Sequence, residues 1–203
     1  EAVEKWGDKI VIRKGIELAS YIPYPESAAE IAGDPTLDFV IGSIHNLTMT
    51  QDFYLINYTT QIQCRELYAR YIEEYVTMAR MGLCDVIGHI GYPERYMLKK
   101  GFKVNPIDCR DELEHLFKTC IENGCGIEVN TSGLRQGLNR TLPGIDLITL
   151  YRQLGGEIIT VGSDAHFKKD VGAGIEEGYE LLRQAGFKYV TVFEKHKPNF
   201  IKI

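Results

Sequence analysis

The chain has 203 residues, 44% of them hydrophobic and 25% charged, which is enough for one sizeable core and typical of one domain, residues 1–203. A net charge of −5 gives no reason to expect nucleic acid or an anionic membrane as the main partner. No apolar run approaches the ~20 residues of a membrane helix, and the first residues are charged rather than signal-like, so a soluble, cytoplasmic protein is expected.

Taken in chain order, short β-branched runs alternate with stretches of helical period. Ile10-Val11-Ile12 leads into Gly15-Ile16-Glu17, and Phe39-Val40-Ile41 leads into Ser43-Ile44-His45. From Arg65 to Met81, Leu67, Tyr71, Tyr75, Met78 and Ala79 recur at three-and-four spacing, which gives a helix one apolar face. Asp85-Val86-Ile87 then leads into Gly88-His89. A second helix is expected over Asp111 to Asn123, ended by Gly124, before Gly126-Ile127-Glu128-Val129 runs into Asn130. Helices over Leu147–Leu154 and Gly174–Gln184 flank the run Ile158–Val161, which leads into Ser163-Asp164-Ala165-His166. Tyr189–Val192 is the last apolar run. Short continuous runs of this kind read as strands buried on both faces, and their alternation with helices implies a parallel α/β sheet, open or closed into a barrel.

The five cysteines, Cys64, Cys84, Cys109, Cys120 and Cys125, form no C-x-x-C pair and no disulfide-framework spacing. They read as packing residues of a protein kept in a reducing compartment.

The chemistry lies at the ends of these runs. Glu17, His45, His89, Asp164 and His166 all stand where expected strands finish. In parallel α/β folds that edge of the sheet is where loops converge on a crevice. Imidazole and carboxylate together suit zinc, manganese or iron, and the absence of cysteine from the set argues against a structural zinc site. Each residue has a plainer reading: Glu17 as a surface carboxylate, His45 and His89 as core histidines bonded to backbone. Asp164 and His166 form Asp-x-His, whose spacing of two puts both side chains on one side if the segment is extended. Five such residues at equivalent positions make a cluster that the separate readings do not explain. His115, among Glu112, Glu114 and Lys118, reads as a solvated helix position, and His196, between two lysines, as surface.

On these residues the chain resembles the PHP family, the polymerase and histidinol phosphatase domain, and within it the monofunctional histidinol-phosphate phosphatases. The segments that carry the resemblance are Gly15-Ile16-Glu17, Ile41-Gly42-Ser43-Ile44-His45, Asp85-Val86-Ile87-Gly88-His89, Glu128-Val129-Asn130-Thr131-Ser132-Gly133-Leu134-Arg135 and Gly162-Ser163-Asp164-Ala165-His166. The resemblance implies a distorted (β/α)7 barrel holding two or three divalent ions. It implies Glu17, His45, His89, Asp164 and His166 as metal ligands, with Glu17 bridging and with Glu17, Asp164 and His166 catalytic. Arg135 and Arg95 are the implied grips on a substrate phosphate, since guanidinium pairs bidentately with phosphate oxygens. The implied reaction is hydrolysis of a phosphomonoester, L-histidinol phosphate, by water activated at the metals. A nuclease or other phosphoesterase of the superfamily, and a degenerate binding module without catalysis, are the alternatives.

Two departures stand out. The family opens with a His-x-His strand and a further ligand histidine, whereas the first residues here read as the helix ahead of the Glu17 strand. The opening strands are therefore expected to be missing and the ligand set incomplete. Exposed sheet edges in such a chain would favour pairing of two copies. Also, Gly91 stands where the family often has an acidic residue.

Overall fold

The computed structural model describes residues 2–203. Five strands, β1 (Gly15–Ala19), β2 (Phe39–Ser43), β3 (Val86–Ile87), β4 (Gly126–Asn130) and β5 (Ile159–Gly162), form one sheet in that order. Every pairing is parallel; Glu17 stands opposite Ile41, Ile41 opposite Val86, and Ile127 opposite Ile159. Sequential parallel strands joined by helices build the wall of a barrel, and all five C-terminal ends point to one edge. Among the described residues hydrogen bonds do not close the wall into a ring. The chain instead continues past β5 as an antiparallel hairpin, β6 (Tyr189–Glu194) and β7 (Lys197–Lys202), with the Ile159 N–H donating to Thr191 Oγ1 across 3.1 Å.

Eight helices accompany these strands among the described residues. They are α1 (Ala2–Trp6), α2 (Pro25–Ala32), α3 (Gln61–Met81), α4 (Glu94–Lys99), α5 (Arg110–Glu122), α6 (Ser132–Arg135), α7 (Ile145–Gln153) and α8 (Ile175–Gln184). The longest, α3, starts where the Thr60 side chain accepts the Gln63 N–H, a hydroxyl cap on otherwise orphaned donors. Its buried face is Cys64, Tyr68, Tyr71, Ile72, Tyr75, Val76, Met78 and Ala79. The core runs from Leu18 through β2–β5 to Leu182 and Val190. All five cysteines are free thiols, four of them buried and Cys84 partly so.

The run Ile10–Ile12 is not a strand: β1 begins at Gly15, and Ile10 and Val11 are exposed. Ile12 is only partly covered, so among the described residues the triplet has too little burial to make it strand-like. For the same reason β1 is an edge strand with only Leu18 buried, while β4 is buried along its whole length.

At the opposite edge from the strand C-termini, the β6–β7 turn docks beneath the sheet. Asp38, just before β2, accepts the Lys195 N–H at 3.2 Å, and its carbonyl accepts that of His196 at 3.0 Å. The His196 ring meets Asp85, just before β3, at 3.0 Å. His196 is thus exposed, as its lysine neighbours imply, but holds a partner.

Candidate active site

Parallel pairing of β1, β2 and β3 brings Glu17, His45 and His89 to one point although up to 72 residues separate them. His45 Nε2 lies 3.2 Å and His89 Nε2 3.0 Å from the same oxygen, Glu17 Oε1, and the two nitrogens are 3.3 Å apart. The histidine contacts hold the Glu17 carboxyl far below the usual carboxylate range, against the opposing pull of burial. Among the described residues this is the one group whose possible ligand atoms converge within 4.8 Å. The convergence fits a divalent ion: tetrahedral coordination with nitrogen ligands at 2.0–2.1 Å places neighbouring donors about 3.3 Å apart.

The two histidines are held differently. His89 is 3% exposed and takes a φ of 21°, a backbone region that non-glycine residues rarely visit. Its N–H donates to Glu128 Oε2 at 2.9 Å, an oxygen that also accepts from Asn130 Nδ2 at 3.1 Å. Burial pushes the Glu128 carboxyl upward. Gly162 makes room for it, since a Cβ there would stand 2.3 Å from Glu128 Oε1. The Tyr92 ring packs against both imidazoles, with centroids 4.7 Å from His45 and 5.1 Å from His89.

Glu17, His45, His89 and Tyr92 line a cavity of about 390 Å³ together with Arg95, Tyr96, Arg135, Gln136, Asp164, His166, Phe167 and Asp170. A volume of this order suits a small molecule. Asp164 and His166 are on its wall, but their ligand atoms do not join the Glu17–His45–His89 point. The segment is not extended, as their spacing suggested: Asp164 has a φ of 50°, which turns the chain out of the β conformation. The two residues still face each other, His166 Nδ1 lying 3.3 Å from Asp164 Oδ1, with the His166 ring largely exposed.

The arginines are placed by separate elements. Arg95, on α4, is 8% exposed, its plane lies 4.6 Å over the Tyr92 ring, and Nη1 donates to Gln136 Oε1. Its Nε and Nη2 have no partner among the described residues. Buried donors are ordinarily satisfied, so a guanidinium with spare donors on a cavity wall is suited to an anion. Arg135 ends α6, donates to the Asp164 carbonyl at 2.7 Å and lies 3.9 Å from Asp170 Oδ1. It therefore also ties the Asp164 loop to the end of β4.

Glu128 was legible as a charged residue inside an otherwise apolar run, which is a signal of paired burial. Glu94 gave no such sign. It is buried at the start of α4, bonded by Arg140 and by Tyr68 (3.0 Å), and burial pushes it up to about 7. Its carboxylate takes the space over Gly91, where a Cβ would stand 2.6 Å from Oε1.

Comparison with known proteins agrees with this geometry. A Thermotoga maritima protein named "probable histidinol-phosphatase" is 33% identical over 127 residues, covering 63% of this chain and 52% of its own. The histidinol-phosphatase of Lactococcus lactis is 24% identical over 200 residues, 94% of this chain and 71% of its own. The chain thus spans about half of the first relative and under three quarters of the second. A solved histidinol phosphate phosphatase of L. lactis, complexed with zinc, L-histidinol and phosphate, superposes with a TM-score of 0.80 at 22% identity over 97% of this chain and 75% of that one. It shares the fold. The family model described as PHP domain matches residues 1–132, a span that carries Glu17, His45, His89, Arg95 and Glu128, and the chain belongs to that family.

Proposed function

We propose that the chain hydrolyses a phosphomonoester, L-histidinol phosphate, to L-histidinol and phosphate in the cytoplasm, acting as one unit with divalent zinc, manganese or iron. The observation that carries the reading is the meeting of two histidine nitrogens and one carboxylate oxygen at ligand spacing, in the same cavity as a buried arginine with unpaired donors. The names of the curated relatives support the same substrate, as does the ligand set in the Lactococcus structure.

Glu17, His45 and His89 would hold a metal, and Asp164 and His166, across the cavity, would complete the ligand set. An ion bound there supplies an acidified water and offsets negative charge on phosphoryl oxygens. The chain's own residues do the rest. Arg95 lines the cavity with its guanidinium stacked on Tyr92 and would meet the phosphate through its charge, its unpaired Nε and Nη2 being buried and reaching a phosphate only after a side-chain shift. Arg135 reaches the cavity from the other side, and Asp170 and the Asp164 carbonyl hold it in place. Asp164, beside His166, is a polar pair available to handle protons at the leaving group. Tyr92, Tyr96 and Phe167 give the pocket an aromatic rim against which a flat ring can rest.

The test is phosphate release from L-histidinol phosphate with zinc or manganese, beside a panel of other phosphomonoesters and single-stranded DNA. Glu17→Gln serves as the control. Selective turnover abolished by the control is the expected result. Turnover of the nucleic acid instead would favour the nuclease reading, and turnover of neither would favour a binding module.

A further inference from the structure

We infer that Tyr71 and Tyr75, on the buried face of α3, are positioning residues that clamp the two backbone segments carrying His45 and His89 and so set the spacing of their ring nitrogens. The inference rests on the metal reading above, and deepens it.

Both side chains are fully buried, and they stand four apart, one above the other on the helix. A buried hydroxyl must find partners, and these two find theirs almost entirely in the segments after β2 and β3. Tyr75 donates to the Gly88 carbonyl at 2.9 Å and accepts the Ile44 N–H at 3.3 Å. One oxygen therefore ties the residue before His45 to the residue before His89. Tyr71 accepts the N–H groups of Gly91 and Tyr92 at 3.2 and 3.3 Å. Its single proton lies between the His89 carbonyl (3.2 Å) and Tyr75 Oη (3.3 Å). Tyr68, one turn earlier, continues the row to Glu94 Oε1.

The consequence falls on His89. Its φ of 21° costs free energy and persists only where the surroundings over-determine it. Here its N–H goes to Glu128, the preceding carbonyl to Tyr75 and the Gly91 N–H to Tyr71, while its own carbonyl accepts from Tyr71 and from the Tyr92 N–H (3.0 Å), an amide that Tyr71 also meets. Phenylalanines would fill the same volume without these bonds. What the hydroxyls add is the position of the loop. Tyr151 makes the useful contrast: it too is buried and donates to a backbone carbonyl, that of Ile158 at 3.0 Å, but at the start of β5, away from the site.

The experiment compares wild type with Tyr71→Phe, Tyr75→Phe and Tyr151→Phe. Zinc affinity is read by competition with a chromophoric chelator, amide exchange of residues 88–92 is read on the metal-free proteins, and Tm is read for each. Tyr71→Phe and Tyr75→Phe are expected to weaken zinc binding by about tenfold or more, as loss of a residue orienting a metal ligand commonly does, and to speed exchange at 88–92. Tyr151→Phe should lower Tm comparably and change neither. Zinc affinity within twofold of wild type and unchanged exchange in the first two variants would overturn the clamp and leave them ordinary core residues. Failure of wild type to take up zinc would instead overturn the metal reading, and the exchange data would decide the clamp on their own.

Discussion

Glu128 Oε2 and the backbone N–H of His89 are 2.9 Å apart, so a carboxylate buried in β4 orients a candidate ligand at the tip of β3 through its main chain. Glu128→Ala leaves that N–H buried without an acceptor, a loss of about 1–3 kcal/mol before any cavity cost. Glu128→Gln keeps an oxygen for it. Urea unfolding of the metal-free variants should show the alanine clearly weaker than the glutamine, and zinc affinity should fall in the same order. Equal losses would mean that the His89 N–H finds another acceptor.

Arg95 offers a planar fork of donors, which lysine cannot reproduce. For Arg95→Lys, KM for L-histidinol phosphate should rise by about tenfold or more while Tm changes little, because each ~1.4 kcal/mol of lost phosphate binding is tenfold. Steady-state kinetics decide it; an unchanged KM would take Arg95 off the substrate.

Glu94 sets a pH dependence of stability. Burial raises its carboxyl from 4.5 to about 7 in the folded protein, while Arg140 pulls the other way. The folded state therefore holds a proton that the unfolded state has lost, so this contribution is full below about 4.5 and declines as pH rises through about 7. Between about pH 5.5 and 8, wild type should lose about 2 kcal/mol more than Glu94→Gln, because each pH unit over which the two states differ by one proton is worth ~1.4 kcal/mol. Parallel curves in urea would show that Arg140 keeps Glu94 ionised throughout.

Gly91→Ala should be costly twice over. A φ of 108° is open to glycine and strained for alanine, and the added methyl would stand 2.6 Å from Glu94 Oε1. A loss of about 2–4 kcal/mol by urea unfolding is expected. A near-neutral result would mean that Glu94 moves aside freely.

The sequence made much of the fold legible because β2, β4 and β5 are β-branched runs buried in a parallel sheet, and because α3 and α5 have long apolar stripes. It misled where burial and hydrophobicity part company. Ile10–Ile12 is apolar but uncovered, whereas β7 is wholly exposed, contains Pro198, and is a strand only because the turn at Lys195-His196 folds it back on β6. The short helices α2 and α4 lacked a full stripe, although Pro25 at the first turn was a start signal. In the site, the residue types were readable, and so were the positions of His45, His89 and Asp164 just past β2, β3 and β5, whereas Glu17 lies within β1, paired with Ile41, and not at its end. The convergence on Glu17 Oε1 was not readable, because it depends on the β1–β3 register. Nor were the hydroxyls of Tyr71 and Tyr75, which pattern alone files as core. Asp164 and His166 were misjudged in geometry, since a single left-handed residue undoes an alternation argument.

The docking of the β6–β7 turn under β2 and β3 bears on how the chain assembles. Lys195 and Asp38 are separated by 157 residues, so their bond closes one of the longest loops in the molecule. Contacts of such separation are slow to form, because loop entropy must be spent before they return anything. The first strands must then wait, with Asp38 and Asp85 holding only the Lys14 and Val40 amides, until the last hairpin arrives. Substitutions in that turn should act as kinetic lesions, lengthening the time the sheet's lower edge lies open, far from any residue that touches substrate.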